Sequence, residues 1–169
     1  MSNRRTVLRN SAVALGATAL GAFIPGPAEA HSKQQPRSSD AQQRAEIVAV
    51  LKGYEQALNA NDVEGVVALY TADAVLLPPN SPSAIGIDAV RATYTSIFQA
   101  IDLDLTFDVA EVNVVSPEWA FLRSNSTGSI VILANGAQVP SSNHELFVLQ
   151  KVHGCWKLAR YSFSSVLPA

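Results

Sequence analysis

Cysteine, histidine and charge are all scarce in this chain. Cys155 is the only cysteine among 169 residues, so no internal disulfide can form and stability must come from a packed core. It reads as a half-buried strand position and not as a nucleophile. The three histidines, His31, His144 and His153, show none of the spacings by which imidazoles gather a metal ion, so no metal site is expected. Charged residues make up only 15% of the chain against 48% hydrophobic ones, a balance that suits one ordinary domain with a real core.

What charge there is at the N-terminus has a pattern. Asn3-Arg4-Arg5-Thr6-Val7-Leu8-Arg9 precedes an uncharged run from Asn10 to Ala28, and Ala28-Glu29-Ala30 closes it with small residues at signal-peptidase spacing. Residues 1–30 therefore read as an export signal, similar to the twin-arginine type. The protein is expected to be periplasmic or secreted, by a bacterial route. The run contains Gly16, Gly21, Pro25, Gly26 and Pro27 and is only mildly apolar, which argues against a lasting membrane anchor. Its removal leaves nine basic and thirteen acidic side chains, a formal charge of −4. No basic patch remains to attract nucleic acid.

Residues 31–40 are polar and contain Pro36, as a flexible tail would, and a single domain is expected over 41–169. From Ala41 the apolar residues Ile47, Leu51, Tyr54 and Leu58 recur at helical spacing. Asn59-Ala60-Asn61-Asp62 ends that helix and caps a second, whose stripe is Val63, Val66, Val67 and Tyr70. Ala74 to Leu77 is a short strand stopped by Pro78-Pro79-Asn80-Ser81-Pro82. Gly86 opens a third helix with Val90, Tyr94, Ile97 and Ile101 on one face.

The period then changes. Leu103, Leu105, Phe107 and Val109 alternate with Asp102, Asp104 and Asp108, a strand with one wet face. Beyond Ala110-Glu111 the apolar parity flips to Val112 and Val114, which requires an extra residue and predicts a β-bulge at Ala110 or Glu111. Trp119 to Leu133 is a further strand with an unusually polar middle, Ser124 and Ser126 on one face and Arg123, Asn125 and Thr127 on the other. Periodicity leaves open which face is inside. Asn135-Gly136 is a hairpin turn, and Asn143 to Ser164 is a long hairpin folded at His153-Gly154.

This order, together with the segment Tyr54-Glu55-Gln56-Ala57-Leu58-Asn59-Ala60-Asn61-Asp62-Val63 and the run from Glu64 to Tyr70, Ala72-Asp73-Ala74-Val75 and the proline loop, resembles the nuclear transport factor 2-like superfamily. His144-Glu145-Leu146-Phe147 and Trp156-Lys157-Leu158-Ala159-Arg160-Tyr161 are similar to its SnoaL-like and SgcJ-like group. The resemblance covers about residues 42–166. It implies an α+β cone fold, three N-terminal helices packed in the concavity of a strongly curved, mostly antiparallel sheet. It further implies a pocket for a small apolar molecule and a homodimer formed through the outer sheet face.

Function is bounded loosely, since the superfamily includes isomerases, cyclases, dehydratases and hydrolases besides association modules. A cofactor-free enzyme of the polyketide-cyclase or isomerase kind is one reading. A non-catalytic binding protein and a dimeric association module are the others. Matched to the ketosteroid isomerases of the superfamily, Tyr54 falls on the tyrosine that donates to the substrate oxygen, but the base position is Pro78 and the acid position falls near Leu146. Standard ketosteroid isomerase chemistry is therefore not expected.

The expected catalytic residues are Tyr54, His144 and Arg160. His144 would share the inward face of the hairpin with Leu146 and Val148, and could move a proton near neutral pH. Arg160 shares the parity of Trp156 and Leu158. Tyr70, Phe98, Ser124, Ser126, Leu146 and Trp156 are the expected ligand-binding residues. Phe147, Leu149, Tyr161 and Phe163 would then face outwards, towards a second copy of the chain.

Overall fold

A computed structural model of the chain describes residues 39–166. The export-signal pattern and all of the expected tail except Ser39 and Asp40 lie outside the described residues. Ser39 caps helix α1 (Asp40–Asn59), its hydroxyl accepting from the Gln42 amide at 3.2 Å. The stripe Ile47, Leu51, Tyr54 and Leu58 is buried along the whole helix. Asn61, in the left-handed region that asparagine tolerates, turns the chain. Asp62 then caps α2 (Val63–Ala68) by accepting from the Gly65 amide at 2.9 Å.

Tyr70 is not part of this second helix. The Leu158 amide donates to the carbonyl of Leu69 at 2.8 Å, and pairing with the last strand draws Tyr70 into β1 (Tyr70–Leu77). After the proline turn come β2 (Ala84–Ile85) and α3 (Ile87–Ala100). Ile101, expected on the helix, instead opens the strand that follows. Four long strands complete the chain: β3 (Ile101–Val114), β4 (Trp119–Ile132), β5 (Ala137–Val152) and β6 (Cys155–Ser165).

The sheet order is β2-β1-β6-β5-β4-β3, antiparallel except where β1 runs parallel to β6. The helices lie in its concavity, giving the α+β cone fold. The predicted bulge is at Ala110, which has no partner between Val109↔Ser124 and Glu111↔Arg123. Strand β3 is a sheet edge, and α1 covers it with side chains. Asn59 bonds both the amide and the carbonyl of Leu105, at 3.0 and 2.8 Å, Glu55 accepts from the Phe107 amide at 2.9 Å, and Arg44 donates to the carbonyl of Val112. These bonds occupy part of the edge that would otherwise be open to pairing with another strand.

The hairpin β5–β6 faces the other way from expectation. With the turn at His153-Gly154, Val152 pairs with Cys155, so Leu149 falls opposite Leu158 and both are buried. Ala159 is a second bulge, between Leu149↔Leu158 and Val148↔Arg160, and it reverses the parity of β6. Trp156 and Leu158 before it and Tyr161 after it are therefore all buried, and Phe163 is half-buried beyond them. On β5 the inward residues are Glu145, Phe147 and Leu149. His144 and Leu146 are exposed, and the outer face carries Trp119, Phe121, Leu146 and Val148. The proposed outward set of Phe147, Leu149, Tyr161 and Phe163 is thus corrected.

Candidate functional site

The interior between helices and sheet is not filled. A cavity of about 270 Å³ lies there, walled by apolar side chains such as Leu58, Leu76, Ile97, Leu103, Leu105 and Phe107. Pro78 and Pro79 of the proline turn also border it. Polar lining comes from three residues of one strand, Ser141, Asn143 and Glu145, and from Tyr54, Tyr94 and Tyr161. No lysine, arginine or histidine among the described residues lines it. Among the described residues, no three histidine, cysteine or acidic side chains gather as a metal site would need.

All four tyrosines of the chain are buried here, although they come from α1, β1, α3 and β6. Tyr94 is the middle of a hydroxyl chain, 2.8 Å from the hydroxyl of Tyr54 and 2.8 Å from that of Tyr70. Tyr161 continues the cluster: its ring is edge-on to Tyr54 at 5.6 Å and stacks on Phe147 at 4.2 Å. Burial holds all four phenols well above the ordinary tyrosine range, so they remain protonated hydrogen-bond donors at any physiological pH.

Glu145 is 5% exposed, and among the described residues no basic side chain lines the cavity beside it. Burial raises its carboxyl to about 7, while hydrogen bonds from Ser126, Ser124 and Tyr161 act in the opposite direction. Ser124, its register partner on β4, donates to Oε2 at 3.3 Å. Ser126, fully buried, accepts from the Asn143 amide at 3.2 Å. The inner face of β4 is therefore the serine face. A carboxyl poised near neutrality beside protonated phenols, inside an apolar chamber, can accept a proton from a bound molecule and return it.

The expected site residues are distributed unevenly. Tyr54 lines the cavity, and Tyr70 supports it from behind through Tyr94. Ser124 and Ser126 underlie Glu145. Phe98 packs on the Tyr94 ring at 5.8 Å without reaching the cavity, and Trp156 is buried away from it with the Lys151 ammonium over its ring at 5.2 Å. His144, expected inside, opens onto a polar hollow on the outer face beside Arg123 and Asn125. Leu146 is 43% exposed on that face. Arg160 also points outwards, because the Ala159 bulge turns it to Asp73, whose carboxylate is 3.4 Å away and whose carbonyl is 3.1 Å away.

Glu145, Tyr94, Tyr161 and Asn143 were not among the expected residues. One signal for Glu145 was available: a two-residue turn at His153-Gly154 pairs Leu149 with Leu158, and Glu145 shares the parity of Leu149. The other was the tyrosine count itself.

The SnoaL-like domain family matches residues 50–156. Among solved structures, a ketosteroid isomerase-like protein from Erwinia carotovora atroseptica is 37% identical over 75% of this chain and 98% of that one, with a TM-score of 0.73. A scytalone dehydratase candidate from Novosphingobium aromaticivorans is 20% identical over 74% of this chain and 85% of that one, with a TM-score of 0.66. An NTF-2 like protein from Shewanella oneidensis is 20% identical over 71% and 97%, with a TM-score of 0.57. The last two are likenesses of fold alone. No curated protein matches.

Proposed function

The chain belongs to the SnoaL-like domain family, and from that premise we propose a cofactor-free proton-transfer enzyme acting on a small, largely apolar carbonyl compound, of the isomerase or cyclase kind. The observation that carries this reading is Glu145, a buried carboxyl raised to about 7 at the wall of an apolar cavity beside a chain of tyrosine hydroxyls. A general base works best with its proton affinity near the working pH. Among the described residues, Glu145 is the only carboxylate lining the cavity, and the proline turn offers Pro78, which carries no proton-transferring atom.

The step balances simply. The Glu145 carboxylate takes a proton from the carbon next to the carbonyl, and the C–H electrons move into an enolate whose charge gathers on oxygen. If Tyr70 donates to Tyr94 and Tyr94 to Tyr54, the Tyr54 O–H, which hydrogen-bonds to Tyr161, turns from it to donate to that oxygen. The protonated Glu145 then returns its proton to the same or another carbon of the enolate. Fixed donors in an apolar cavity stabilise the charge that gathers on the enolate oxygen.

The test is deuterium uptake next to the carbonyl of 2-tetralone in heavy water, followed by NMR. Glu145→Gln is expected to slow enzyme-dependent uptake by about a hundredfold or more, the usual size of a general base contribution. Uptake at the wild-type rate would overturn the reading.

Export and pairing belong to the same proposal. Arg4-Arg5 and Ala28-Glu29-Ala30 support export, which cell fractionation tests. The apolar outer residues Trp119, Phe121, Leu146 and Val148 support a dimer, and sedimentation of a Leu146→Glu variant tests it.

A further inference from the structure

The polar lining of the cavity is not scattered. Ser141, Asn143 and Glu145 alternate on β5, so they share one face and form a stripe about 7 Å from residue to residue in steps of two. Glu145 is buried, whereas Asn143 and Ser141 are half-buried, so the stripe runs from the closed end of the cavity towards solvent. The Asn143 side-chain amide donates to Ser126 Oγ at 3.2 Å and to Ser141 Oγ at 3.3 Å, which fixes the orientation of its head group. Across the cavity the walls are aliphatic and aromatic, from Ile97, Ile101, Leu103, Leu105, Ile130 and Phe163.

An apolar ligand that presents only one oxygen would leave the outer half of this stripe facing hydrocarbon, which is costly for oriented polar groups. From the stripe we infer that the ligand carries a second oxygen function, a hydroxyl or carbonyl, roughly 7 Å from the reacting carbon, the spacing of alternate strand residues. The Ser141 hydroxyl donates to either function, and Asn143, whose two side-chain N–H groups are taken, accepts through Oδ1 when that function is a hydroxyl. The substrate class is thereby narrowed to small fused-ring or extended compounds oxygenated at both ends. With no basic side chain among the described residues of the lining, the second function is uncharged and not a carboxylate or phosphate. The inference rests on Glu145 as the proton carrier only for which end reacts.

The test uses the full chain and a matched pair of probes, 2-naphthol and naphthalene-2,6-diol, titrated by their own fluorescence. Wild type is expected to bind the diol about tenfold more tightly, the size of one well-made hydrogen bond. Asn143→Ala and Ser141→Ala are each expected to bring the ratio of the two dissociation constants to near one. Two variants are used because Asn143→Ala also removes a bond to Ser126. Equal affinities in wild type, no binding of either probe, or a preference that survives both substitutions would overturn the two-ended site. Measuring 2-tetralone exchange in Glu145→Gln alongside separates the two readings. Exchange that persists defeats the proton carrier and leaves the diol preference to stand by itself.

Discussion

Ser124 and Glu145 face each other across the β4–β5 ladder, and the serine hydroxyl donates to Glu145 Oε2 at 3.3 Å. This is one of few polar contacts offsetting the burial of a carboxyl that has no basic neighbour in the cavity. The stability of the fold and the chemistry of the cavity are therefore linked through one residue.

Stability should fall as pH rises through the Glu145 transition. The folded carboxyl titrates near 7, above the ordinary value of 4.5, so between these limits the native state holds a proton that the unfolded state has lost. Its stabilising effect is complete below about 4.5 and gone above about 7, a change of roughly 3 kcal/mol or less. Thermal unfolding of wild type and Glu145→Gln at pH 5 and pH 8 checks this. The difference between the two pH values is expected to shrink in the glutamine variant.

Proton exchange should follow the same group with the opposite sense. The base must be deprotonated, so exchange on 2-tetralone is expected to rise with pH to a plateau above about 7. Tyr54→Phe should lower the plateau by about tenfold to a hundredfold through loss of one donor to the enolate oxygen, leaving the midpoint near that of wild type. A pH–rate profile measures both quantities.

Tyr94 should matter more to stability than Tyr70. Tyr94→Phe breaks two buried hydroxyl contacts of 2.8 Å, whereas Tyr70→Phe breaks one. Each orphaned buried hydroxyl costs about 1–3 kcal/mol. Urea unfolding should place Tyr94→Phe below Tyr70→Phe.

Gly128→Ala is expected to be among the most damaging substitutions in the sheet. A Cβ at Gly128 would lie 2.0 Å from the carbonyl oxygen of Asp104 on β3, and backbone cannot yield as a side-chain tip does. Separating β3 from β4 should cost about 3 kcal/mol or more, in the upper range for single substitutions. Chemical denaturation is the measurement.

His144→Ala and Arg160→Ala should leave 2-tetralone exchange at the wild-type rate. His144 opens onto the outer face, and Arg160 makes a surface pair with Asp73, whose side chain is 70% exposed. Exposed pairs of this kind contribute little to stability. A loss of exchange in either variant, with the fold intact by circular dichroism, would show that the outer face takes part after all.

Much of the fold could be read along the chain. The α1 stripe, the Asp62 cap, the wet face of β3 and the Ala110 bulge are all local periodicities or breaks in them, and each was visible in a short window. Tyr70 and Ile101 were misplaced because helical spacing continues past the point where pairing with β6 and β4 captures the backbone. The apolar hairpin could not reveal its faces by composition, since Leu146 and Val148 are as apolar as Phe147 and Leu149.

The sequence by itself therefore determined most of the elements and their order, because these follow from nearest-neighbour spacing, whereas the cone and Tyr54 as a cavity residue came from the family resemblance. The His153-Gly154 turn register hinted at which face of β5 looks inwards, but only the folded sheet supplied the Ala159 bulge, which lets Trp156 and Tyr161 face the same core despite opposite parity. That single choice of face sends His144 out and brings Glu145 in. A carboxyl acquires its neutral-range proton affinity from burial, and burial is a property of the folded sheet, not of any residue's place in the chain.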